Sequence, residues 1–410
     1  MEHPKSGMAP RRKRVSLVIR LLAGRSGGAE RLYCELANFL SESGYEVDCL
    51  FHDEADGAPF YPINPGIELR NLHVRGKRTP KYRLGRVTRK LYSLMNSGPL
   101  APLVNERTWN MLNGNFVRRL REHFLANETD LAISFLPSAN TVTLVAADGT
   151  GTKVVPTNHN VPREDYTSPL RWDPNPYDRK LRLSALRGAA AVHVLFPRFG
   201  DWFPEDIRRK IVAIPNYVSK DIREARPAAR REKLILAVGR LAPVKNYLTL
   251  VDAWSMLADS HPDWKVILYG VGPQGRELEA KVRQLHLEAS FLMPGHRSDM
   301  ASEYARASIF CHPALFEGFG LSVAEALALE MPVVAFSDCS GVNEFVRDGC
   351  NGLMVEREGG APALARALER LIADEELRAS LGGNGPASIA GFTEEAYRTR
   401  WLETIERVTA

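Results

Sequence analysis

Short apolar runs recur along this chain, each released into a turn of glycine, proline or asparagine, and they restrict it to an open α/β fold. Val15-Ser-Leu-Val-Ile-Arg-Leu-Leu22 enters a glycine loop. Lys233-Leu-Ile-Leu-Ala-Val238 ends at Gly239, Trp264-Lys-Val-Ile-Leu-Tyr269 at Gly270, and Ala307-Ser-Ile-Phe-Cys-His312 at Pro313. Unbroken apolar runs suit strands buried on both faces, and short Gly/Pro connections suit βαβ units with parallel sheets. A chain of 410 residues, 44% hydrophobic, is long enough for two domains with separate cores. The polar, uneven stretch Ser219 to Glu232 reads as the linker, with domains over 1–218 and 219–392.

Composition excludes several classes. A formal net charge of +5 is modest, and no stacking platform or nucleic-acid module accompanies it, so no nucleic-acid partner is expected. Cys34, Cys49, Cys311, Cys339 and Cys350 lack CxxC spacing, which suits a reducing cytoplasm. The histidines are scattered, and neither H-E-x-x-H nor an Asp-x-Asp after a strand is present, so no metal is expected. No run approaches the roughly 20 apolar residues that span a bilayer. Arg11-Arg-Lys-Arg14 leads into a strand interrupted by Arg20 and not into a signal peptide. A cytoplasmic protein is expected. From Arg75 to Lys90, however, there are eight Lys or Arg and no acid. With Leu91-Tyr-Ser-Leu-Met95 and Trp109, this segment suits peripheral contact with anionic lipid on the inner face of the plasma membrane. A solvated insertion is an equal reading.

The segment Glu317-Gly-Phe-Gly-Leu-Ser-Val-Ala-Glu325 concentrates the chemistry. It follows a strand-like run, so Glu317 sits where strand becomes loop. Gly318 and Gly320 permit a sharp turn, and Leu321 onward has helical spacing. Unpaired amides at a helix start favour an anion. Glu325, one turn in, can accept hydrogen bonds from vicinal ribose hydroxyls, and Glu317 can take those of a hexose.

Arg240 and Lys245 follow a strand, at the sheet edge where open α/β folds bind ligands, and suit a diphosphate leaving group. Ala23-Gly-Arg-Ser-Gly-Gly-Ala-Glu30 brings Gly27 and Gly28 to a helix start, an anion site or simply a tight turn. Gly270-Val-Gly272-Pro-Gln-Gly275 satisfies G-x-G-x-x-G, but the next strand ends in Pro294-Gly-His296-Arg and not in the acid that holds an NAD ribose. Lys153-Val-Val-Pro-Thr-Asn-His159 delivers a histidine to a loop, and Asn140 either meets a substrate or caps a helix.

Together these segments resemble the retaining glycosyltransferases of family 4. The resemblance spans nearly the whole chain, through Gly27-Gly28-Ala29-Glu30-Arg31, Ile214-Pro215-Asn216-Tyr217-Val218, Val238 to Asn246, Tyr269 to Pro273, Glu317 to Glu325 and Asp338 to Gly352. It implies the α/β GT-B fold: two facing Rossmann-like domains, a central cleft, and a C-terminal helix, about 393–410, crossing back to the first. It implies transfer of a hexosyl or N-acetylhexosaminyl unit to a lipid-linked or growing bacterial glycan, without metal or cofactor. The donor is a nucleoside diphosphate sugar, UDP-linked by preference and GDP-mannose next. His159, Glu317, Arg240 and Lys245 are the catalytic candidates. Gly27, Gly28, Gly272, His296, Phe319, Gly320, Leu321 and Glu325 are the donor-binding candidates. A non-catalytic sugar-nucleotide scaffold and an NAD-dependent dehydrogenase are the alternatives.

Overall fold

A computed structural model describes residues 11–55, 57–73, 101–167, 175–297 and 299–410, with 101–104 as backbone alone. The chain forms two compact units, Met1–Ile214 with Arg400–Ala410, and Pro215–Thr399.

The described residues of the first unit build a seven-stranded sheet in the order β3-β2-β1-β4-β5-β6-β7. Its strands are β1 (Arg14–Ile19), β2 (Glu46–Phe51), β3 (Glu68–Asn71), β4 (Leu131–Phe135), β5 (Lys153–Thr157), β6 (Val192–Val194) and β7 (Ile211–Ala213), all paired parallel. β1 is buried from Val15 to Ile19 on both faces, which explains its continuous apolar character. Its one interior hydroxyl, Ser16, pairs with Thr129 at 3.3 Å. The helices Gly28–Glu42 and Pro137–Ala147 pack on this sheet. Tyr33 from the first is fully buried because its hydroxyl donates to the Leu17 carbonyl at 3.0 Å. Trp401, from the last helix Glu394–Thr409, is also fully buried and stacks on His193, ring centroids 5.4 Å apart.

The second unit's described residues form a six-stranded parallel sheet in the order β10-β9-β8-β11-β12-β13. Its strands are β8 (Leu234–Val238), β9 (Lys265–Tyr269), β10 (Phe291–Gly295), β11 (Ile309–His312), β12 (Val333–Phe336) and β13 (Gly352–Val355). Leu250 and Trp254 from helix Tyr247–Ser255, Leu278 from Gly275–Gln284, and Leu364 and Leu368 from Gly360–Ala373 meet in one core. The Trp254 indole can be buried there because its N–H reaches Ser290 Oγ at 3.0 Å.

In each sheet the chain runs outward from its first strand and then returns to that strand's other side. Strand order therefore reverses between β1 and β4, and between β8 and β11. Open α/β sheets bind ligands beyond the strand C-termini at such a reversal. In the second unit, Lys245 follows β8 and Glu317 follows β11, so the two flank that point.

Candidate functional site

Lys245, Glu317 and His312 of the second unit converge at this reversal. After β8, a single 3-10 turn, Pro243–Lys245, is closed by Asn246 at φ +55°, a conformation that asparagine tolerates, before the helix Tyr247–Ser255 begins. The turn aims Lys245 at the loop after β11, where its Nζ donates to Glu317 Oε1; the two side chains are 18% and 16% exposed. His312, the last residue of β11 and fully buried, donates from Nε2 to the same oxygen at 3.1 Å. Burial alone would raise the Glu317 carboxyl, but the Lys245 charge and the His312 hydrogen bond outweigh it and hold the group well below the usual carboxylate range. Glu317 is an anion at neutral pH, with its acceptor geometry set by two donors.

Backbone bonds hold the loops in place. The Leu315 amide donates to Val244 O at 2.9 Å and the Glu317 amide to Ser340 O at 3.0 Å. Arg357, after β13, donates to the Leu315 carbonyl and to Asp338 Oδ1, the latter at 2.8 Å. Gly270 and Gly272 have a packing role. The Leu241 amide donates to Val271 O at 3.1 Å, and a Cβ on Gly270 or Gly272 would lie 1.9 Å from Gly239 O or 2.3 Å from Leu241 O. Only glycine lets the loops after β8 and β9 lie this close, so Gly272 is explained without a ligand.

Gly320, at φ +79°, turns the chain into the helix Leu321–Ala328. The amides of Gly320, Leu321 and Ser322 find no backbone acceptor among the described residues, and no side chain caps this helix. Phe319 differs: its ring is buried against Phe345 and Phe392, centroids 5.5 and 5.3 Å away, so its side chain belongs to the core. Glu325 is half-buried, and Tyr304 Oη donates to its Oε2 at 2.8 Å. Arg240 is exposed and forms no ion pair among the described residues. His296 is exposed just beyond β10.

Two contributors escaped sequence reasoning. His312 carried a signal, as a histidine closing an apolar strand five residues before Glu317. Tyr304 carried none, since only the packing of helix Met300–Arg306 brings it to Glu325.

In the first unit, Gly27 caps the helix Gly28–Glu42, but Glu30 folds back so closely that a Cβ on Gly27 would lie 2.3 Å from Glu30 Oε2. That carboxylate would repel an incoming phosphate, which weakens the case for Gly27 and Gly28 as an anion site. His159 follows β5, half-buried, its ring stacked on Phe135 at 5.1 Å and its Nε2 2.8 Å from Thr157 Oγ1. Burial, and next the neighbouring His193, keep His159 well below the ordinary histidine value, so the ring is neutral at physiological pH. Asn140 does not cap a helix. It lies inside the helix Pro137–Ala147, 2% exposed, and bridges Ser134 and Thr157.

Trp109, expected to meet lipid, is 2% exposed, and its indole donates to Asp178 at 2.6 Å. The basic segment Arg75 to Lys90 lies outside the described residues. No helix among the described residues is long and apolar enough to cross a membrane. They contain no group of three or more His, Cys, Asp or Glu placed to hold a metal.

Comparison with known proteins agrees with this geometry. Residues 26–221 match the model of Glycosyltransferase Family 4, and residues 218–388 that of Glycosyl transferases group 1. The chain belongs to glycosyltransferase family 4. One relative of this transferase, from Campylobacter jejuni, is 25% identical over 96% of this chain and 99% of its own. It is a GalNAc-alpha-(1->4)-GalNAc-alpha-(1->3)-diNAcBac-PP-undecaprenol alpha-1,4-N-acetyl-D-galactosaminyltransferase. Among solved structures, sucrose-phosphate synthase from Thermosynechococcus elongatus aligns with TM-score 0.75 at 20% identity, over 97% of this chain and 99% of that one. HepE from Anabaena, in complex with UDP and glucose, aligns with TM-score 0.71 at 20% identity, over 97% of this chain and 100% of that one. These neighbours place the transferase in the GT-B fold.

Proposed function

We propose that this transferase moves a hexosyl or N-acetylhexosaminyl unit from a nucleoside diphosphate sugar to a lipid-linked or growing bacterial glycan, with retention at the anomeric carbon. UDP is the preferred nucleotide and GDP the next. The reading rests on the Lys245–Glu317–His312 cluster beside the open amides of Gly320, Leu321 and Ser322, at the sheet reversal of the second unit. A bond to a diphosphate breaks with negative charge developing on the bridging oxygen. Arg240 and Lys245 supply the positive charge that stabilises it, and the helix amides hold the phosphate. Glu317 accepts hydrogen bonds from sugar hydroxyls, and Glu325 from those of the ribose. His159 orients a sugar or acceptor hydroxyl on the first unit.

With no carboxylate assigned as nucleophile, the departing diphosphate takes the acceptor's proton on the face it leaves. Arginine and lysine neutralise the developing negative charge in place of a divalent ion, so the reaction needs no metal. An undecaprenol-linked acceptor in a named relative supports a lipid-linked glycan, reached from the cytoplasmic side of the membrane, where Arg75 to Lys90 is the candidate contact.

Thermal denaturation with UDP, GDP, ADP and NAD tests the donor class. A ligand at 100 times its Kd stabilises the native state by about 2.7 kcal/mol. A raised midpoint with UDP or GDP is expected, and a response to NAD alone overturns the reading. Tyr304→Phe removes the hydroxyl that orients Glu325 but keeps the buried ring. UDP affinity by calorimetry is expected to fall on the order of tenfold, about 1.4 kcal/mol, with turnover at saturating donor nearly unchanged. Unaltered affinity would show that Tyr304 merely packs.

A further inference from the structure

Thr157 closes β5 two residues before His159, and its hydroxyl has two close neighbours: the Ser134 carbonyl at 2.8 Å and His159 Nε2 at 2.8 Å. A hydroxyl has one proton to give. The carbonyl can only accept, so the Thr157 proton points to Ser134, and Thr157 Oγ1 faces the imidazole as an acceptor. His159 Nε2 must then carry the ring proton. A neutral imidazole has one N–H, so Nδ1 is bare.

The surroundings leave Thr157 little freedom to turn. Ser134 Oγ donates to Asn140 Oδ1 at 2.8 Å, and Asn140 Nδ2 donates to the Thr157 carbonyl at 2.9 Å, which ties β4, β5 and the helix between them around this hydroxyl. The loop beyond is equally held. Asn158 Nδ2 donates to the His193 carbonyl at 2.8 Å, and Tyr166 Oη donates to Asn158 Oδ1 at 2.8 Å. The His159 ring lies on Phe135 from β4 and 5.4 Å from His193 of β6. His193 is itself fixed by its Nε2 donating to Ile214 O at 2.9 Å, and burial pushes its pKa down to about 4. His159 Nδ1 is out of contact with solvent and makes no hydrogen bond among the described residues. A buried acceptor without a donor is costly, and one kept beside a loop of this kind points to a ligand that supplies the donor.

We infer that Thr157 is a positioning residue that locks His159 in its Nε2–H tautomer, so that Nδ1 acts only as a hydrogen-bond acceptor, for a substrate hydroxyl or amide N–H. This rests on the assignment of His159 to the substrate site and sharpens it. A bare ring nitrogen repels the anionic oxygens of a diphosphate and selects an O–H or N–H of a sugar. It also excludes His159 as a proton donor in the transfer.

The test is long-range proton–nitrogen NMR of the full chain carrying labelled histidine, with His159→Gln identifying the signals. The wild type and Thr157→Ser are expected to show a protonated Nε2 and an unprotonated Nδ1, unchanged through the range where a free histidine titrates, near pH 6.5. Thr157→Val, which keeps the shape without the hydroxyl, is expected to give averaged nitrogen signals of two exchanging tautomers, with UDP affinity retained. A protonated Nδ1 in the wild type overturns the inference whatever the variants do, and so does a Thr157→Val spectrum identical to the wild type. Because UDP binding is measured on the same samples, loss of the tautomer assignment and loss of the transferase reading are separate results.

Discussion

Lys245→Ala is expected to lower turnover roughly 10²–10³-fold, the range found when a charge-stabilising donor is removed from a reacting oxygen. It is also expected to destabilise the second unit. Removing one partner of a buried pair costs about 3–5 kcal/mol, and side chains 18% and 16% exposed place this pair toward the lower end. The pH dependence distinguishes the pair from generic packing. Glu317 has its carboxyl pKa depressed in the folded state, so its contribution is present above the unfolded value, about 4.3. That contribution is lost as pH falls through the folded value. The stability difference between wild type and Lys245→Ala should therefore be greatest at neutral pH and shrink below about pH 4.3. Denaturant melts across that range check it. A constant difference would assign Lys245 to packing, and an active Lys245→Ala enzyme would remove it from the leaving-group role.

Gly341→Ala is expected to disable the donor site although Gly341 is not itself a candidate residue. Gly341 has φ +82°, and a Cβ there would lie 2.5 Å from Gly318 O and 2.6 Å from Glu317 O. Left-handed backbone costs an alanine about 1–2 kcal/mol, and the overlap with two carbonyls forces the Glu317 loop to move. That loop is held by the hydrogen bond from the Glu317 amide to Ser340 O, 3.0 Å long, which such a movement strains. Gly349→Ala supplies the control, because Gly349 has φ +67° with nothing within 4 Å of its Cβ position, so it carries the strain without the collision. UDP calorimetry should show a loss of tenfold or more, about 1.4 kcal/mol or above, for Gly341→Ala and little change for Gly349→Ala. Equal affinities would mean that the loop accommodates the methyl group.

Both effects depend on relations of very different legibility. The Glu317 to Glu325 spacing, the cations after β8 and the strand-to-turn rhythm are local, and local chemistry gives them meaning in sequence: a carboxylate at a strand end, glycine at a left-handed turn, free amides at a helix start. Gly272 needed the structure for a related reason. A glycine that admits a phosphate and a glycine that admits a neighbouring backbone leave the same letter, and only the 2.3 Å approach to Leu241 O tells them apart. Trp109 was expected at a lipid surface because an aromatic near basic residues suits one, yet its indole found a buried partner in Asp178, 69 residues away.

Periodic apolar runs and glycine punctuation were enough to require two parallel α/β sheets, because burial on both faces and the backbone freedom of glycine act within a few residues. Tertiary packing alone could bring Lys245 to the Glu317 oxygen that His312 also meets, bring Tyr304 to Glu325, and set the Ser134 carbonyl against Thr157. Each of those juxtapositions depends on which strands lie side by side and how far their loops reach. Strand order is settled by the combined packing of many side chains, and no single stretch of sequence records it.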